Sequence, residues 1–217
     1  MGAVPDQSFG SIEDMTPPTE LPPMVDVAFA IRADNVQRDC AFDLQQAFCM
    51  RLPWMAEDEL SGIHPLKVVA GNGPMAMLAT RARLLVRVRR ERAVELQAMS
   101  GALLLLSGGA LQLGISQIRE VLPHGTLYAY RVAAEGCDES AFMASVAQEL
   151  DSMGVGGERV CGMHQTVSKG TAVQHAFSLM VHGLSADQSQ RLQRTGLGSQ
   201  RLLGCGIFVP HKSAAAV

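Results

Sequence analysis

Arg81-Ala82-Arg83-Leu84-Leu85-Val86-Arg87-Val88-Arg89-Arg90 alternates with a period of two. Ala82, Leu84, Val86 and Val88 point one way; Arg81, Arg83, Leu85, Arg87 and Arg89 point the other. That is a strand with one face for a core and one positively charged face. Upstream, Val25, Val27, Phe29 and Ile31 alternate with Asp26, Ala28 and Ala30, a second strand. Asp39 can cap a helix carrying Ala41, Leu44, Ala47, Phe48 and Leu52, which Pro53 stops. Gly62–Val69 reads as a further strand, and Gly71-Asn72-Gly73 as a turn. Downstream, a short helix over about Arg92–Met99 leads to Leu103–Leu106 and Leu111–Ile118, which flank a hairpin turn at Ser107-Gly108-Gly109-Ala110.

The order then repeats. Thr126–Val132 reads as a strand, and Asp138 opens a helix with Phe142, Val146 and Leu150 on one face. Glu158–Met163 and Val173–Val181 read as strands around a loop containing Lys169-Gly170. Ser185 opens a helix with Gln188 at capping-box spacing, and Leu203–Val209 is a last strand. Both halves therefore run β-α-β-β-α-β, the split βαβ order. This predicts an α+β fold of tandem ferredoxin-like (RRM-like) domains, each an antiparallel sheet with helices on one face. The divisions fall at 1–23 (a proline-rich leader without fixed structure), 24–122, 123–212 and a tail at 213–217.

A 217-residue chain with 47 % hydrophobic residues can fill such cores. The formal net charge of -3 excludes RNA binding by the whole surface, so an RNA site has to be a local basic patch. Five widely spaced cysteines without a Cys-x-x-Cys point to reduced thiols. No basic start precedes Arg32, and no apolar run approaches the ~20 residues of a membrane span. A cytoplasmic location without membrane contact is the expectation. Cys161, His164, His175 and His182 match no compact zinc spacing, so neither a metal nor another cofactor is implied.

The stretch Arg191-Leu192-Gln193-Arg194-Thr195-Gly196-Leu197-Gly198-Ser199-Gln200-Arg201-Leu202-Leu203-Gly204-Cys205-Gly206-Ile207-Phe208-Val209-Pro210-His211-Lys212 resembles the glycine-rich loop of the repeat-associated RNA-binding proteins of CRISPR systems. More narrowly, it is similar to the repeat-processing endoribonuclease family in its Myxan subtype. Val25-Asp26-Val27-Ala28-Phe29, Leu52-Pro53-Trp54, Val121-Leu122-Pro123 and Phe177–Leu184 agree with that subtype. The resemblance implies binding of the CRISPR repeat hairpin. It also implies metal-independent cleavage by 2′-hydroxyl attack, and a product RNA (crRNA) retained in a surveillance complex of further subunits. Such a reaction needs a base, a donor for the leaving oxygen and a cation.

One departure divides the expectations. The subtype's pattern has Asp-His where the first helix opens, with Tyr two residues after the histidine; this chain has Asp39-Cys40-Ala41-Phe42. Cys40 serves as a base only if its thiol is activated; otherwise it packs the helix. His64, before Pro65 in a turn compatible with exposure, is the main replacement. The resemblance thus leaves two readings: an endoribonuclease using His64 or Cys40, or an inactive subunit that caps the 3′ hairpin of a Cascade-like complex. RNA-binding residues are expected at Arg194, Gly196, Gly198, Arg201, Gly204, Gly206 and Lys212, where glycine lets backbone approach phosphate. The stripe Arg81, Arg83, Arg87 and Arg89 and the hairpin residue Lys169 add to these. Stacking on the sheet is not expected, because no Lys/Arg-Gly-Phe/Tyr signature occurs.

Overall fold

The computed structural model describes residues 21–69 and 73–211; the expected leader over residues 1–20, Gly71, Asn72, Lys212 and the tail lie outside them. The first half contains β1 (Met24–Arg32), β2 (Val36–Gln37), α1 (Ala41–Arg51), β3 (Gly62–Ile63), β4 (Met75–Ala76), β5 (Arg83–Arg89), α2 (Ala93–Gln97), β6 (Leu103–Leu106) and β7 (Gly109–Glu120). The second contains β8 (Thr126–Ala134), α3 (Glu139–Ser152), β9 (Glu158–Lys169), β10 (Ala172–His182), α4 (Ala186–Thr195) and β11 (Phe208–Pro210).

The second sheet runs β11-β8-β10-β9 with every neighbour antiparallel, the ferredoxin-like arrangement. The first runs β3-β5-β1-β7-β6, the same plan with β6 added as an edge hairpin partner of β7. Each sheet has its own core. Val27, Phe29, Val86, Val88 and Leu113 pack beneath α1 and α2, where Leu44, Phe48 and Leu96 meet them. Leu127, Ala129, Leu179 and Val181 pack against Phe142, Val146 and Leu150 of α3 and Leu192 of α4.

Local chemistry explains several boundaries. Asp138 caps α3 by accepting from the Ser140 and Ala141 N–H groups. Ser185 and Gln188 form the expected capping box on α4. Asp39 does not cap α1: Cys40 holds the N-cap position without a side-chain bond. The Asp39 carboxylate instead accepts from Ser168 N at 2.7 Å and fastens the β9–β10 hairpin to the start of α1. The expected strand Gly62–Val69 shrinks to two residues because Pro65 has no N–H to give a ladder, and only an isolated bridge Val68–Leu78 follows. The last strand starts late, at Phe208, because Arg201–Leu203 winds into a turn of 3-10 helix.

Candidate nucleic-acid interface

The helix-start candidate is not placed as a base. Cys40 is 3 % exposed and packs in the first core. Burial pushes its thiol up to about 11, so the helix start does not yield a thiolate at neutral pH. Cys205 is pushed up to about 11 in the same way, while Cys137 is exposed. A thiol reagent at pH 7 should modify Cys137 rapidly and spare Cys40 and Cys205 until the protein is unfolded; mass spectrometry of a labelling time course checks this. Fast modification of Cys40 would contradict its placement.

His64 is not at an exposed turn. It lies between the two sheets, with Nε2 3.2 Å from Asp26 Oδ1. Burial pushes the imidazole down, against the pull of Asp26, so it is neutral at pH 7 and serves as an N–H donor to the carboxylate. Its Nε2 is held by Asp26, and the residue borders a cleft between the two sheets.

Arg87 is the largest correction. It occupies the outward face of β5, as its period requires, but that face is covered by the second domain and Arg87 is 1 % exposed. Nε and Nη2 grip Asp26 at 2.8 and 2.9 Å, and Nη1 donates to the carbonyls of Gln193 and Phe208 at 3.1 and 2.8 Å. One guanidinium thus ties β1 to the end of α4 and to β11, and none of it is free for phosphate. Burial opposes ionisation of Asp26. The hydrogen bond from His64 and the fixed charge of Arg87 reverse that and hold the carboxyl well below the usual carboxylate range.

The glycine-rich stretch is also turned inward. Arg201 is 5 % exposed and donates to the carbonyls of Leu60, Thr195 and Gly206 at 3.1, 2.9 and 3.2 Å. Gly196 and Gly206 make room for it and for the chain itself. Both have positive φ; a Cβ on Gly196 would lie 1.5 Å from Arg201 Nη1, and one on Gly206 would lie 2.1 Å from Leu197 O. Gly204 is buried against Pro65. Gly198 is exposed, yet its N–H already donates to Glu149 Oε1 at 2.8 Å. The cavity beside this stretch, about 330 Å³, is walled on its other side by Asp58 and Glu59, which repel phosphate. Of the remaining candidates, Arg194 donates to Leu21 O and Gln190, and Arg89 pairs with Asp58 at 3.3 Å. Lys169 is exposed at the hairpin tip, next to Gly170, where a Cβ would lie 3.2 Å from the Phe42 ring.

The free cations gather elsewhere. Arg81 and Arg83 line a cleft of about 550 Å³ between the two sheets, together with Lys67, Arg119, Tyr130 and Pro210. Lys67, Arg81, Arg83 and Arg119 are exposed, and among the described residues none has a salt-bridge partner. The two carboxylates on the cleft are both neutralised, Asp26 by Arg87 and Glu120 by Arg90. The net potential is positive in a concave, partly enclosed space, the arrangement that concentrates polyanions. Lys67 and Arg119 carry no local sequence signal. Arg119 reaches the cleft because β7 pairs with β1 in the register that puts Arg119 opposite Asp26. Tyr128 and Tyr130, two apart on β8, had a signal in their alternation, although not the one the stacking signature describes.

Comparison with known proteins agrees with this architecture. The Cas6 CRISPR family model matches residues 25–213. The chain belongs to the Cas6 family. The CRISPR-associated endonuclease Cas6 of Myxococcus xanthus strain DK1622 is 31 % identical over 194 residues, covering 89 % of this chain and 84 % of the relative. A solved CRISPR-associated Cas6 protein superposes with a TM-score of 0.62 at 10 % identity, covering 87 % of this chain and all of that one. A RAMP protein described as binding different RNA substrates gives 0.58 at 10 % identity, over 86 % and 98 % of the two chains. These structural likenesses carry the tandem ferredoxin-like Cas6 fold. The Cas6 resemblance read from the glycine-rich stretch is correct as to family, and in this Cas6 chain Arg201 and Gly204 of that stretch contact the other domain at Leu60 and Pro65. Among its described residues, no helix is long and apolar enough to cross a membrane.

Proposed function

We propose that this protein binds CRISPR repeat RNA through the cleft of Lys67, Arg81, Arg83 and Arg119, and that it retains the RNA without cutting it. The observation that carries this reading is the contrast between four free cations in one cleft and a helix-start position occupied by a buried thiol at about 11. Phosphate neutralisation is available; a base for the 2′-hydroxyl at the helix start is not, and the His64 Nε2 is engaged by Asp26. The protein then acts as a crRNA-holding subunit, within two units at 24–122 and 123–212, and caps the hairpin for the other subunits of a surveillance complex. The second reading is metal-independent cleavage, favoured by the M. xanthus relative's description as an endonuclease.

The two readings separate in one experiment. Purified protein is incubated with end-labelled cognate repeat RNA in EDTA, and binding and products are followed together. Binding without a 2′,3′-cyclic phosphate product is expected. A cyclic-phosphate product that persists in the Cys40→Ala and His64→Ala variants would remove the retention reading and place the base elsewhere.

A further inference from the structure

The cleft has an aromatic wall as well as a charged one. Tyr130 is 39 % exposed on the open face of β8, opposite the face that supplies Leu127 and Ala129 to the core. Tyr128 meets it edge-on at 5.0 Å between ring centroids, and the His211 ring lies 5.4 Å from that of Tyr128. The Tyr130 ring therefore has an aromatic neighbour and keeps an accessible surface. Lys67 Nζ sits 5.4 Å from its centroid, a cation over a π face contributed by the other domain. Lys67 is exposed and among the described residues has no carboxylate partner, so little holds it there.

We propose that Tyr130, backed by Tyr128 and flanked by Lys67, is a stacking platform for an unpaired nucleobase, so that the cleft takes single-stranded RNA beside the repeat hairpin and not the hairpin stem. This rests on the RNA-binding reading above. A base inside an A-form stem is covered on both faces by its neighbours, and only an unpaired base offers a face to an aromatic ring. A cleft of about 550 Å³ has the size of a small-molecule pocket, enough to take up one base against the ring. On binding, the base replaces the Lys67 ammonium over the ring, and the ammonium moves to the adjoining phosphate. Arg81, Arg83 and Arg119 continue the phosphate track away from the ring. Stacking is tolerant of base identity, so the platform reads single-strandedness more than sequence.

The test compares two RNAs, the full cognate repeat and its hairpin alone, with 2-aminopurine placed in turn at each unpaired position. The wild type should bind the full repeat more tightly than the hairpin and quench 2-aminopurine at one or more flanking positions. Tyr130→Ala should weaken full-repeat binding about 5- to 100-fold, the loss that removal of one base–aromatic stack produces. It should leave hairpin affinity unchanged and abolish the quenching. Tyr130→Phe should behave as wild type, which separates stacking from a role of the hydroxyl. Lys67→Ala should lower the salt dependence of binding, and Tyr130→Ala should not. Equal affinity of the wild type for both RNAs, or unaltered full-repeat affinity in Tyr130→Ala, would overturn the platform while leaving RNA binding intact. Failure of the wild type to bind either RNA would overturn the RNA-binding reading itself.

Discussion

Replacing Arg87 by alanine should destabilise the protein by about 3–5 kcal/mol, the loss that follows when one partner of a buried ion pair is removed. The cost comes chiefly from what is left behind. Asp26 would remain buried with its charge uncompensated, and the carbonyls of Gln193 and Phe208 would each lose a donor. Urea unfolding at pH 7 reads the effect as a lowered midpoint at similar slope. A loss below about 1 kcal/mol would mean that the interdomain contact is hydrated and weak. The double variant Arg87→Met with Asp26→Leu should recover much of the stability, since it leaves no stranded charge.

The same pair fixes an acid limit. The Asp26 carboxyl is held below its ordinary range in the folded state. Its contribution is thus fully present above the unfolded value of about 4 and is lost as the pH falls below it toward the folded value. In Arg87→Ala this acid-dependent part should shrink. Arg201→Ala belongs with these stability variants: its guanidinium is spent on three backbone carbonyls, so the loss should appear in unfolding.

The triple variant Arg81→Ala/Arg83→Ala/Arg119→Ala should have the largest effect on RNA binding. Each cation that neutralises a phosphate on a single strand contributes roughly 0.7 to the slope of log K against log salt, so the slope should fall by about 2. The exposed positions of all three predict an unfolding midpoint close to wild type. Affinity measured from 50 to 200 mM salt tests this. A parallel shift with unchanged slope would show that the phosphates are neutralised elsewhere, with Lys169 at the hairpin tip the next group to examine.

The alternation of Val25–Ile31 and Arg83–Arg89, the stop at Pro53, the Asp138 cap and the Ser185–Gln188 box were legible because each is a local matter. Periodicity and capping depend on residues within a turn or a strand of one another. The family was legible too, from Gly196 to Gly206, because a chain that folds back on itself around one side chain needs glycine at fixed places. The reason for those glycines was not legible. Close approach to phosphate and close approach to Arg201 impose the same demand on the backbone, and only the packed structure distinguishes them.

The arginine stripe shows the same limit. By itself the sequence determined that Arg81, Arg83, Arg87 and Arg89 share one face of a strand, because side-chain direction follows from backbone geometry. It could not determine what covers that face. Tertiary structure lays the end of α4 and β11 over Arg87, pairs Arg89 with Asp58, and leaves Arg81 and Arg83 open to the cleft. The difference between a clamp and a binding residue is set by contacts more than a hundred residues away in the chain. Those contacts exist only once two separate cores have formed and docked.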